Sequence, residues 1–319
     1  MYSKPQPLRG YLYIGAATFL WGVAATMGRA AFTGHLLPGE ETLVAIDPLI
    51  LSQTRTSFTF LALLLILAMK RGWASLSVPR ADLGRLCLLG VLGLAAANFF
   101  YYVAIQRTNV ATAIILQYTA PMWVLLYVSA RSRQRPTLQQ MAAVALALTG
   151  IALLIDLFTA GQFRLDRYGV VAALLSAFSF AFYNVSAHSV LARHDRWTVL
   201  LHVTGSAAIF WLLINPPWKI VAGNYSGGQW MFLVIFAVVS ALAPFALYAA
   251  GLQHLEPTRA MIASCMEPVF SIGLAALTLG ELVRPMQLAG IVLVLGAILA
   301  VEWPGRKKIA GEPMIEPIE

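Results

Sequence analysis

The stretch EPVFSIGLAALTLGELVRPMQLAGIVLVLG, Glu267 to Gly296, decides the fold. Glu267 stands beside Pro268 near the middle of an apolar run that starts after Arg259. A second carboxylate, Glu281, follows Gly280 where that run ends, and Gln287 and Gly290 open another. A bilayer-spanning helix needs about 20 mostly apolar residues. A charge in the middle of such a segment is expensive, so it faces protein or a water-filled cavity. The rest of the chain reads as the scaffold around that cavity.

Composition agrees. Of 319 residues, 59% are hydrophobic and 11% charged, and the mean hydropathy is +0.74. Soluble domains are roughly a quarter charged, so the class is an all-α polytopic membrane protein. The net charge of +8 belongs to loops at one membrane face, not to nucleic-acid binding. Cys87 and Cys265 both lie in apolar runs and build no disulfide framework. The five histidines form no metal-binding pair, and no phosphate-binding P-loop is present. No cofactor and no metal are therefore expected. Lys4 and Arg9 precede an apolar run from Tyr11 to Phe32, too long for a signal peptide and read as an uncleaved first span.

Ten segments reach spanning length, near 11–32, 47–69, 83–105, 109–130, 138–157, 168–191, 198–215, 229–252, 258–279 and 286–302. An even number puts both termini on one side. That side then carries 15 of the 22 Lys and Arg and the other carries 6, with Arg55 inside a span. The excess marks the terminal side as cytoplasmic. The long loop over 33–46 falls outside, with Glu40, Glu41 and Asp47.

The chain also repeats itself. Laying Pro121 on Pro268, a shift of 147 residues, brings Tyr101 onto Tyr248, Gln106 onto Gln253 and Gln140 onto Gln287 without a gap. Gly10 corresponds more loosely to Gly169. Each half holds five spans, so the second is inverted relative to the first. Residues 1–157 form the first five-helix repeat, 158–303 the second, and 304–319 a disordered cytoplasmic tail. Inverted repeats are typical of secondary transporters, whose site lies near the midplane between the halves.

With Trp21-Gly22, Arg55, Pro121, Glu267-Pro268, Gly280-Glu281, Gln287 and Gly290 in place, the chain resembles the EamA-type branch of the drug/metabolite transporter superfamily over about residues 10–303. The resemblance implies a ten-helix, two-repeat inner-membrane transporter, commonly an exporter of amino acids, metabolites or drugs. It does not fix the substrate. An uptake carrier of the same fold and a non-transporting scaffold remain the alternatives. No nucleophile–base pair or metal cluster supports a membrane enzyme, and no charged ring or filter supports a channel.

Glu267 is the main candidate. Its helix face reads Ala260, Ala263, Ser264, Glu267, Ser271, small and polar, unlike a lipid-facing surface. It binds a proton or a substrate amine, or else is a carboxyl that only fixes helix packing. Trp21, Asn98, Tyr101, Gln117, Asn184, His188 and Tyr248 are the other substrate-binding candidates. Aromatics around a few amides suit a small organic solute, and they equally suit interhelical bonding. Pro121 and Pro268 each remove a backbone donor and kink their helices. Arg55 either attracts a carboxylate or snorkels to the interface, and Glu281 reads as structural. The partners are a small-molecule solute and the lipid bilayer, with monomer and homodimer both open.

Overall fold

The computed structural model describes residues 6–33, 45–108, 110–155, 166–279 and 282–302. Glu281, most of the 33–46 loop, the tail beyond Glu302 and the side chain of Arg29 lie outside the described residues. Among the described residues there is no strand.

Among the described residues ten apolar helices follow one another. They are α1 (Pro7–Thr33), α2 (Pro48–Arg71), α3 (Arg80–Arg107), α4 (in two pieces, Val110–Gln117 and Ala120–Ser132) and α5 (Leu138–Leu154). Then come α6 (Arg167–Leu191), α7 (Arg196–Ile214), α8 (Gly227–Leu252), α9 (in two pieces, Pro257–Ser264 and Met266–Leu279) and α10 (Pro285–Glu302). Among the described residues nine are long and apolar enough to cross a bilayer, and α5, at 17 residues, is the short one.

Local chemistry sets the starts. The Asp47 carboxylate accepts from the Leu49 N–H at 2.7 Å, with Pro48 at the first helical position of α2. Asp166 and Asp195 cap α6 and α7 in the same way. Reciprocal capping boxes open α5 (Thr137 with Gln140) and α8 (Ser226 with Gln229).

The bundle is built twice. α1 packs on α8 and α9, and α6 packs on α3 and α4, while α2 pairs with α7 and α5 with α10. The halves therefore interleave. The same close approach recurs at equivalent places. A Cβ on Gly10 would lie 2.6 Å from Leu255, and one on Gly169 would lie 2.5 Å from Thr108. Thr108 and Leu255 are 147 residues apart, the same register. Where α5 crosses α10, a Cβ on Gly290 would meet the Gly150 carbonyl at 2.6 Å, so backbones touch there. The start of α1 and the end of α10 share a face: the Tyr11 hydroxyl donates to Glu302 at 2.6 Å, and Arg259 pairs with Glu302 at 3.0 Å. That face is called the terminal face below.

Candidate functional site

Two helices break at matching points. α4 is interrupted at Tyr118 and Thr119, and α9 at Cys265, with Tyr118 falling on Cys265 in the 147-residue register. Each break precedes a proline by one turn or less. Pro121 offers no N–H to the Gln117 carbonyl, nor Pro268 to that of Ser264. The chain tightens instead, with Thr119 N–H bonding to Leu116 at 3.2 Å and Cys265 N–H to Ile262 at 3.1 Å. A second pair of irregularities also superposes. α3 runs as π-helix over Leu89–Ala95 and α8 over Val238–Leu242, so Val91 matches Val238. π-segments are frequent at functional sites. These two lie just before Asn98 and Tyr101 on α3, and before Phe245 and Tyr248 on α8.

Glu267 sits two residues past the α9 break and is half-buried. The Tyr118 hydroxyl, at the α4 break, donates to its carboxylate, and the Arg55 cation acts on it electrostatically. Tyr101 and Cys265 lie within its field. Arg55 in turn donates through Nη2 to Asn98 Oδ1. The Asn98 amide is oriented by its own bond to the Leu94 carbonyl at 2.7 Å. Arg55, Asn98, Tyr101, Tyr118 and Glu267 are all half-buried. The structure thus brings three of the sequence candidates, Asn98, Tyr101 and Glu267, to one polar cluster, together with Arg55 and Tyr118.

Three others form a separate, sealed layer nearer the terminal face. Tyr248 and Asn184 are 0% exposed and Trp21 is 9% exposed. The Asn184 amide donates to the Tyr248 hydroxyl, which is also bonded to Ser264. The Trp21 ring lies 5.4 Å from those of Tyr248 and Phe245, and Tyr183 lies 5.8 Å from Phe245. Asn184 Oδ1 has no partner among the described groups, and neither does Nδ1 of His188 one turn further toward the terminal face. Gln117 stands apart from both groups. It donates to Ser176 at 3.0 Å, and Ser176 donates to the Ala97 carbonyl at 2.8 Å, which ties α4, α6 and α3 together.

Tyr118 is the residue that sequence reasoning missed. The repeat carried the signal, since Tyr118 aligns with Cys265, two places before Glu267. Chemically, the arrangement offers a carboxyl, a phenol and a guanidinium in one half-buried cluster. Among the described residues no group of three His, Cys, Asp or Glu is placed to hold a metal ion.

Known proteins with the same pattern are membrane transporters. The profile of the EamA-like transporter family matches residues 8–156 and 167–303. An uncharacterized transporter of Archaeoglobus fulgidus is 28% identical over 67% of this chain and 76% of its own. The threonine/homoserine exporter RhtA of Escherichia coli K12 is 29% identical over 72% of this chain and 73% of its own. The uncharacterized inner membrane transporter YicL of Salmonella typhimurium is 25% identical over 72% and 76%. One crystal structure superposes with a TM-score of 0.73 over 93% of this chain and 97% of its own, at 19% identity, a likeness of fold.

Proposed function

The chain belongs to the EamA-like transporter family, and from that premise we propose that this multi-pass membrane transporter exports a small organic solute by alternating access. The membrane is the bacterial inner membrane and both termini are cytoplasmic. The solute is an amino acid, a metabolite or a drug. The family and the named activity of one relative, threonine/homoserine export, make amino acids the first solutes to test.

One observation carries the reading. The breaks of two repeat-related helices meet at a single ionisable group, with Tyr118 bonded to Glu267. Discontinuous helices at mid-membrane are where secondary transporters place substrate and coupling ion. A carboxyl at that depth is costly when charged. It therefore alternates between a neutral form and a charged form paired with a solute amine or hydrated, and opening to each side in turn supplies both environments.

The packing suggests which parts move. Because α3, α4 and α6 pack together, and α1, α8 and α9 do so too, these two mixed bundles are the rocking units. The Trp21–Asn184–Tyr248 layer is the closure on the terminal side. Gln117 and His188 act on packing more than on the solute. The test is counterflow in proteoliposomes containing the purified chain, with radiolabelled amino acids as the first panel. Saturable uptake with a transient overshoot supports a carrier. Linear, non-saturable flux points to a channel. An absence of flux across solute classes from a protein of native elution profile removes the transporter reading. Reporter fusions at each end test the topology, and a periplasmic C-terminus contradicts it.

A further inference from the structure

Arg55 lies seven residues into α2, about 10 Å along the helix from its start. A cation at such depth ordinarily snorkels to the interface. This one is held sideways by Asn98 of α3, whose amide is fixed in turn by the Leu94 carbonyl. That bond uses one of the five N–H donors of the guanidinium. Among the described residues no carboxylate is in ion-pair contact with Arg55, although Glu267 lies within electrostatic reach. The two charges stand on different helices: α2 packs mainly on α7 and α8, and α9 mainly on α1 and α4.

Resting on the reading that Glu267 faces the solute, we infer that Arg55, positioned by Asn98, binds a carboxylate of the transported solute and so selects zwitterionic solutes. A planar fork with free donors matches a carboxylate in two-point fashion, which an ammonium does not. A solute carrying both an amine and a carboxylate then bridges Glu267 and Arg55. A plain amine satisfies Glu267 alone and leaves the guanidinium short of a partner.

The experiment compares an amino acid with its decarboxylated amine as inhibitors of counterflow. L-threonine and 1-amino-2-propanol are the first pair. If another amino acid in the panel gives the stronger counterflow, it and its own decarboxylated amine are used. The wild-type chain should prefer the amino acid by roughly ten- to a hundredfold in half-inhibitory concentration, the range of a charge-assisted hydrogen bond. In Arg55→Gln that ratio should fall to near one. Arg55→Lys, which keeps the charge but loses the fork, should give an intermediate ratio, and it decides the matter if Arg55→Gln does not fold. A ratio unchanged in Arg55→Lys and Arg55→Gln overturns the inference. So does a parallel loss for acid and amine, since Arg55 would then serve only as counter-ion to Glu267. Counterflow confined to solutes without a carboxylate sinks this inference and spares the transporter reading, whereas no counterflow of any solute sinks both.

Discussion

Tyr248→Phe is the most informative single change in the sealed layer. It keeps the ring against Trp21, 5.4 Å away, and removes only the hydroxyl that accepts from Asn184 and bonds Ser264. Asn184 is 0% exposed and its Oδ1 already lacks a partner, so the whole amide would be left unpaired. Leaving a buried polar group unsatisfied costs about 1–3 kcal/mol. If the closed layer carries that cost and an opened one does not, the population open toward the terminal face rises by about 5- to 150-fold. Cys265 is a native reporter, since it is 0% exposed and lies within the field of Tyr248. In a Cys87→Ser background, the rate of maleimide labelling at Cys265 should rise in proportion. Replacing both partners with apolar groups of similar size is close to neutral. Asn184→Leu combined with Tyr248→Phe should therefore return the rate toward the parent. Labelling within twofold of the parent in Tyr248→Phe, or a double variant as fast as the single one, would refute the reasoning.

Gly290→Ala places a Cβ 2.6 Å from the Gly150 carbonyl, where backbone must give way. It should cost about 1–3 kcal/mol and lower the melting temperature in detergent, whereas Gly273→Ala, which meets nothing within 4 Å, should leave it unchanged. On the terminal face, partial burial and then the Arg9 cation hold His254 below the ordinary histidine range. The folded state thus resists a proton that the unfolded state accepts. This contribution is present above the ordinary histidine pKa of about 6.5 and is lost as pH falls below it. His254→Gln should flatten the fall in melting temperature between pH 7.5 and 5.5, and an unchanged slope would show that the acid sensitivity lies elsewhere. Arg55 carries its own test, the collapse of the acid-to-amine preference in Arg55→Gln.

Most of the fold is legible in the sequence because the bilayer imposes it. Ten apolar segments and the Pro121–Pro268 register suffice for a ten-helix, two-repeat bundle. The structure adds that the repeats interleave, which follows from α1 docking on α8 and α9 and is invisible to hydropathy. Residue-level grouping was harder to read. Helical periodicity places Glu267 on a small, polar face, but it assumes an unbroken helix. The breaks at Tyr118 and Cys265 and the π-segments at Leu89–Ala95 and Val238–Leu242 rotate the faces that follow them. Asn98 and Tyr101 thereby join Glu267, while Asn184, Tyr248 and Trp21 close a separate layer. Arg55 illustrates a different limit. Its composition-level reading, snorkelling or ligand contact, turns on whether Asn98 captures it, and that depends on a contact 43 residues away.

Proton-driven and exchange flux in the Glu267→Gln variant decides whether the Glu267 carboxyl works in transport. The substitution keeps size and most hydrogen bonding but removes the titration. The readout is counterflow of an amino acid in proteoliposomes, with and without an imposed pH gradient, from protein purified at wild-type yield. The pH-driven component should disappear if Glu267 carries a proton. If it pairs with the solute amine, both modes weaken and apparent affinity falls. Near-normal flux with unchanged pH dependence would contradict both and remove Glu267 from the transport mechanism.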